Sequence, residues 1–273
     1  MSAQMKLRSH AMPAKFILGV CLAAFAGMLP GFHAAARAQS SKPHQIGPPA
    51  ATVPAMQPPV EDKQVFYHVL FNQLEDRTDG SGNELRWDGE GWIGTDINRL
   101  WIKSEGIKDS SRVSDGDLEA LYDRPIPRTR YFDAQIGVRA DLDSGPERTW
   151  AAIGIEGLAP YYFEFAPTLY IRDGGNVAGR VTGSYDVLLT QRLIAQPEAE
   201  LNFYNKDDAA RHIGSGLSDL DTGIRLRYEI SRKFAPYIGF AYTGKYGNTA
   251  SYARRAGVST GDSRFVFGLR LWY

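Results

Sequence analysis

In the stretch RWDGEGW, the charged residues Arg86, Asp88 and Glu90 stand two apart, and RLWIKSE keeps its charges Arg99, Lys103 and Glu105 on positions of one parity. Alternate positions of later segments carry Glu156, Glu164, Arg172, Arg180, Asp186, Glu198, Glu200, Arg225, Arg227, Glu229 and Arg270. Side chains i and i+2 of an extended chain share a face, so these charges gather on one side of their segments. A face of mixed sign supports two chemistries. Its charges pair with one another and keep an enclosed interior balanced, because unpaired charge in a confined space is costly, or they line a selective path for a charged solute.

Metal ligands are scarce. After Gln39 the soft or borderline ligands are His44, Met56, His68 and His212, and Cys21 is the single cysteine of the chain. Copper(I) favours thiolate and thioether, copper(II) favours imidazole, and these residues show no ligand spacing. His68, on the polar face of the first strand segment, is the candidate metal ligand that a scaffold holds; the alternative is a structural histidine satisfied by its neighbours. NKDDAARH sets Asp207 and Asp208 ahead of His212, and an Asp–His pair can activate water. A solvated loop histidine beside acids explains the same residues, so the chain is expected not to be an enzyme. Gly214-Ser215-Gly216 is no phosphate loop, since no G-K-[ST] follows it.

The elements that position these residues are strands. Alternation runs through segments 65–76, 84–95, 98–107, 115–123, 130–140, 149–158, 161–172, 177–188, 192–204, 218–231, 235–245 and 263–273, and no helical repeat of apolar residues is found after Gln39. In YFDAQIGVRAD, Phe132, Ala134, Ile136, Val138 and Ala140 oppose Asp133, Gln135, Arg139 and Asp141. In LDTGIRLRYEI, Leu220, Ile224, Leu226, Tyr228 and Ile230 oppose Asp221, Arg225, Arg227 and Glu229. A soluble sandwich shows such alternation too. Two features favour an all-β, antiparallel transmembrane barrel of about twelve strands in the bacterial outer membrane. The segments run to about ten residues, the length a tilted strand needs to cross hydrocarbon. Odd connections (77–83, 108–114, 141–148, 173–176, 205–217, 246–262) are longer than even ones (96–97, 124–129, 159–160, 189–191, 232–234). Pro167 and Pro197 fall inside segments and mark bulges or displaced limits. The closing SRFVFGLRLWY alternates Phe265, Phe267, Leu269, Leu271 and Tyr273 with Arg264, Gly268 and Arg270. It is expected to seal the barrel and to serve as the signal read by outer-membrane insertion machinery; outer-membrane lipid is the other expected partner.

The chain has 273 residues and formal net charge zero. Its start combines Lys6, Arg8 and Lys15, the apolar run FILGVCLAAFAGML and an A-x-A site at Ala36-Arg37-Ala38, which together make a signal peptide over residues 1–38. Its removal leaves 27 basic against 31 acidic residues and no cysteine. Mild acidity argues against nucleic acid as a partner. Residues 39–62 are proline-rich with few large apolar side chains, the composition of a disordered periplasmic leader, so the barrel occupies 63–273.

Several long runs carry a resemblance: VLFNQLEDRTDGSGNELRWDGEGWIGTDINRLWIKSEG, TWAAIGIEGLAPYYFE, YDVLLTQRLIAQPEAELNFY and IGSGLSDLDTGIRLRYEISRKFAPYIGF. From Val65 to Tyr273 the chain resembles the copper resistance protein B family. The resemblance implies an outer-membrane barrel that lowers copper stress by sequestering or exporting the ion, with copper as its ion and a periplasmic copper-binding protein as a partner. Many members carry a Met- and His-rich leader; here the leader offers only Met56 and His44, so no family ligand carries over. A passive solute channel or a structural envelope protein is the alternative.

Overall fold

Each alternating segment becomes a strand, and each strand pairs antiparallel with its neighbour in sequence. The computed structural model describes residues 64–80, 82–109, 112–129, 131–143 and 147–273. The signal peptide and leader, with Cys21, His44 and Met56, lie outside the described residues. The strands are β1 (Phe66–Thr78), β2 (Asn83–Gly94), β3 (Arg99–Lys108), β4 (Val113–Pro125), β5 (Phe132–Asp141), β6 (Arg148–Ala159), β7 (Phe163–Arg172), β8 (Asn176–Ser184), β9 (Val187–Leu188), β10 (Leu193–Tyr204), β11 (Gly216–Tyr228), β12 (Phe234–Lys245) and β13 (Gly261–Trp272). β9 continues β8 along β10, and β13 pairs with β1 from Leu70↔Trp272 to Thr78↔Phe265, so the sheet closes into a barrel of twelve staves.

Closure fixes the faces. Ile136, Val138, Ile153, Ile224 and Phe240 are exposed on the outside, whereas Gln73, Glu75, Arg77, Arg139 and Arg225 are buried inside. This inverts a soluble protein and matches a wall between lipid and a polar lumen. No helix among the described residues is long and apolar enough to cross a membrane, so any crossing is made by the strands. Both described ends of the chain, Gln64 and Tyr273, lie at one end of the barrel, the turn end; the 205–215 and 246–260 connections lie at the other, the loop end.

Three details depart from the sequence expectation, and the two interior prolines interrupt their ladders as their positions predict. The 246–262 connection is not all loop: it holds α1 (Gly247–Arg255), which buries Thr249, Ala250 and Ala253 against the barrel mouth. Only the last two loop-end connections are long, because β1–β2 and β3–β4 are joined by 79–82 and 109–112. The expected strand 177–188 breaks at Tyr185–Asp186, opposite Gln196 and Pro197. Proline has no N–H to give the ladder, although the Pro197 carbonyl still accepts the Tyr185 N–H at 3.1 Å. Pro167 acts likewise, since the β6–β7 ladder skips from Gly154↔Thr168 to Gly157↔Phe165.

The seal between β13 and β1 needs a residue without a side chain at 268. A Cβ on Gly268 would lie 2.7 Å from the Glu75 Cβ and 2.7 Å from the Tyr237 ring. Gly268→Val is therefore expected to lower barrel stability by about 1–3 kcal/mol through overpacking. The check is the urea midpoint of the lipid-reconstituted barrel, with loss of the fast-migrating unboiled band on a detergent gel.

Candidate functional site: a charged lumen in two chambers

A bulge in β1 sets the lumen's deepest charges. The β1–β2 register runs to Phe71↔Gly89 and resumes at Gln73↔Asp88, so Asn72 is the extra residue and the inward set shifts from even to odd numbers. Gln73, Glu75 and Arg77 thereby point inward together. The Glu75 side chain is fully buried. It accepts hydrogen bonds from Arg77 Nε at 2.8 Å, Arg225 Nε and Nη2 at 2.9 Å each, and the Tyr237 hydroxyl at 3.0 Å. Arg77 Nη1 reaches Asp221 at 2.7 Å, Arg86 Nε donates to Gln73 at 2.9 Å, and Gln73 Nε2 donates to Glu198 at 2.8 Å. A carboxylate that accepts four donors is held in one place, and Arg77 presents its fork to two partners, Glu75 and Asp221.

A second knot crosses the barrel from β8. Arg180 pairs with Glu105, with Asp117 at 2.8 Å and with Glu200 at 3.3 Å. Arg139 holds Asp117 at 3.2 Å and Asp141 at 3.0 Å, and its guanidinium lies 4.6 Å from the centre of the Tyr170 ring. The Tyr170 hydroxyl donates to Glu119 at 2.6 Å. Around it pack Trp101, Leu121, Trp150, Ala152 and Ala178, a small apolar cluster inside the lumen.

These knots divide the interior. A turn-end chamber of about 410 Å³ is lined by nine carboxylates and three basic residues, Lys103, Arg180 and Arg270. A loop-end chamber of about 640 Å³ lies beneath α1 and is lined by Asp79, Glu84, Arg211, Tyr252, Ala253 and Arg264 among others. Arg180 borders both. In the turn-end chamber several carboxylates bond to neutral donors: Asp88 to Asn72 Nδ2 at 3.1 Å, Glu164 to the Ser184 hydroxyl at 2.6 Å and Glu119 to Tyr170.

The expected charge ladder is in the lumen. Arg99 bonds Asp133 at 2.8 Å and Asp123 at 3.2 Å, and Lys103 pairs with Glu156. Glu105 and Glu200 share Arg180, Glu198 receives Arg225 at 3.3 Å, and Arg227 bonds Asp186 at 2.8 Å. Glu164 meets Ser184 instead of a base. Glu229 lies one residue beyond the end of β11, its N–H bonded to the Arg192 carbonyl at 2.8 Å. Missing from the sequence expectation were Glu75, Arg77, Asp117 and Glu119. The adjacent polar pair Asn72-Gln73, interrupting the alternation of β1, is the signal that finds the first two.

The metal and hydrolase candidates separate. His68 faces inward at the turn end, between Trp92 and Trp272, with ring centres 6.4 and 5.7 Å away. Among the described residues no group of three or more His, Cys, Asp or Glu side chains could hold a metal ion. His212 is exposed, has φ 58° and sits 6.0 Å from the Tyr252 ring. Its two acids are engaged elsewhere. Asp208 pairs with Arg148, and Asp207 accepts the Ser215 N–H at 2.6 Å and Asn248 Nδ2 at 3.1 Å. The Ser215 amide, aided by Asn248, lowers the Asp207 carboxyl below its ordinary range, so this latch between the 205–215 loop and α1 is made at neutral pH and lost as the pH falls through the lowered value. Thr249 adds a second tie, accepting the Gly214 N–H at 2.7 Å.

Comparison with known proteins yields consistent matches. The family described as "Copper resistance protein B precursor (CopB)" matches residues 65–273. "Copper resistance protein B" of Escherichia coli is 42% identical over 214 residues, covering 78% of this chain and 72% of that protein. "Copper resistance protein B homolog" of Pseudomonas syringae pv. tomato is 41% identical over the same shares. Among solved structures, the NanC porin aligns over 76% of this chain and 99% of its own with 12% identity and TM-score 0.48. The KdgM porin aligns over 75% and 98% with 12% identity and TM-score 0.44.

Arg225→Met leaves Glu75 and Glu198 without their shared cation. Breaking a buried pair from one side costs about 3–5 kcal/mol, and that loss is expected in the urea unfolding of the reconstituted barrel. Arg232→Met, on an exposed turn-end residue, is expected to stay within about 0.5 kcal/mol of the parent.

Proposed function

Since the chain belongs to the copper resistance protein B family and closes into a barrel with an apolar outer wall, we propose that copper ions are the charged solute its lumen receives, through the turn-end chamber. The protein is an outer-membrane barrel protein of copper resistance; the uptake and binding of the ion by the barrel are our reading. The observation that carries it is the excess of carboxylates in that chamber, several of them held by neutral donors. A chamber with low-dielectric walls and one sign of charge concentrates ions of the other sign. Oxygen ligands bind copper weakly and with little selectivity, so the chamber acts as a low-affinity store or conduit.

Copper then reaches the turn end from a periplasmic copper-binding protein, and β13, amphipathic to its last residue, is the strand that insertion machinery reads. The role is non-enzymatic. That reading is supported by the engagement of Asp207 and Asp208 away from His212.

The test replaces Asp88, Glu90 and Glu164 together by Asn, Gln and Gln. Copper(II) half-saturation of the refolded barrel is expected to rise about tenfold, the equivalent of about 1.4 kcal/mol, and a deletion strain carrying the variant is expected to lose copper tolerance. Unchanged binding and full tolerance would instead indicate a passive channel or structural envelope protein. Single-channel recording of the parent barrel is expected to show little ion current, because the two arginine knots fill the waist.

A further inference from the structure

We propose that α1 is a hinged lid, closed against the 205–215 loop, whose opening lets small polar solutes exchange between the loop-end chamber and the outside. The inference goes beyond the copper reading of the lumen and holds whatever solute the barrel carries.

The connection that carries α1 is pinned at its roots. The Lys245 N–H donates to the Thr260 carbonyl at 2.7 Å and the Tyr246 N–H to the Ser218 carbonyl at 2.8 Å, so both roots are tied to the strands. Just past the first root Gly247 has φ 52°, a left-handed setting that glycine adopts readily. At the far end Gly257, at φ 71°, caps the helix: its N–H bonds the Arg254 carbonyl at 3.1 Å, and the Val258 N–H bonds the Ala253 carbonyl at 2.9 Å. So capped, residues 247–258 move as one body, joined to the second root through the exposed Ser259. Closure motions turn on a few residues at element ends such as these.

What holds this body down is mostly polar and lies near the surface. Its buried face consists of Thr249, Ala250 and Ala253, and alanine methyls remove little apolar area from water. The Thr249 hydroxyl accepts the Gly214 N–H at 2.7 Å and lies 2.9 Å from the Ser218 hydroxyl. The exposed Asp207 accepts Asn248 Nδ2 at 3.1 Å, and the Tyr252 ring meets the His212 ring edge-on at 6.0 Å. Segments with few buried apolar contacts and exposed hydrogen bonds open at the lowest cost. The same body roofs the loop-end chamber, with Tyr252, Ala253 and Val258 in the lining opposite His212 and Ile213 of the facing loop. The β11–β12 and β12–β13 ladders stop at Lys245 and Gly261, so the barrel wall stays whole when α1 lifts.

The experiment measures how fast a cysteine in the chamber is labelled by a polyethylene-glycol maleimide. In the full-length Cys21→Ser protein refolded in detergent, Ile107→Cys reports the loop-end chamber, Thr182→Cys the turn-end chamber and Arg232→Cys open solvent. Two changes free the lid by different means. Asp207→Ala with Thr249→Val removes its ties. Gly214→Ala wedges it away, because a Cβ there would lie 2.5 Å from the Asn248 Cβ and against the Thr249 N. Ile107→Cys is expected to label more slowly than Arg232→Cys in the parent, and each change to raise its rate about tenfold while Thr182→Cys and Arg232→Cys keep theirs. Unboiled gel mobility shows that each variant is folded; should Ile107→Cys fail to fold, Thr243→Cys, also in the lining, takes its place. The proposal is overturned if Ile107→Cys labels as fast as Arg232→Cys in the parent, or if either change leaves its rate unaltered. An equal rise at Thr182→Cys overturns it too, since the whole barrel would then have loosened.

Discussion

Everything in this molecule follows from the need of each backbone N–H and C=O for a partner where no water can supply one. Hydrocarbon solvates neither group, and an unpaired one costs several kcal/mol there. The sheet must therefore close, and it closes where β13 meets β1. Closure turns period-two alternation into a division between lipid and lumen, which places Phe265 and Phe267 outside and Arg264 and Arg270 inside on the same strand. A lysine or arginine at mid-depth on the outer face would cost about 2–4 kcal/mol, and that asymmetry keeps the charges on the inner wall.

Charges so confined must then be satisfied by one another. Arginine does most of this, because its planar fork bridges two carboxylates at once, as Arg225 bridges Glu75 and Glu198 and as Arg180 bridges Asp117 and Glu200. The result is a waist built of ion pairs and one aromatic cluster, with polar space on either side. The turn-end space is lined by nine carboxylates and three basic residues. The far end lies beneath α1, latched by Asp207 and Thr249.

The faces of the strands were legible in the sequence because alternation is a local property. All twelve staves were found, with limits within a few residues, and the ladder residues from Arg99 to Arg227 do point inward. What was hidden is non-local or depends on a slip of one residue. The partner of Glu75 is Arg225, 150 positions away, and no spacing in the chain announces that pair. The bulge at Asn72 exchanges the two faces of β1 halfway along, so a single parity imposed on VLFNQLEDRT assigns half of it wrongly. Helix α1 was missed because its nine residues bury small side chains, Thr249, Ala250 and Ala253, which carry no apolar periodicity strong enough to read. Of the candidate metal ligands, sequence singled out His68 but not the indoles beside it, since they come from strands at both ends of the chain.

The two interior prolines bracket one hairpin. β7 and β8 are joined to β6 by a ladder that skips the pairs at Ile155 and Glu156, and to β10 by one that lapses at Tyr185 and Asp186. The β6–β7 and β8–β10 ladders keep seven pairs each, whereas β7 and β8 hold nine unbroken pairs with one another. A hairpin whose own ladder is whole and whose outer edges are interrupted is expected to part from its neighbours before it parts within itself, while the stave carrying Glu75 and Arg77 is clasped across the lumen by Arg225 and Asp221.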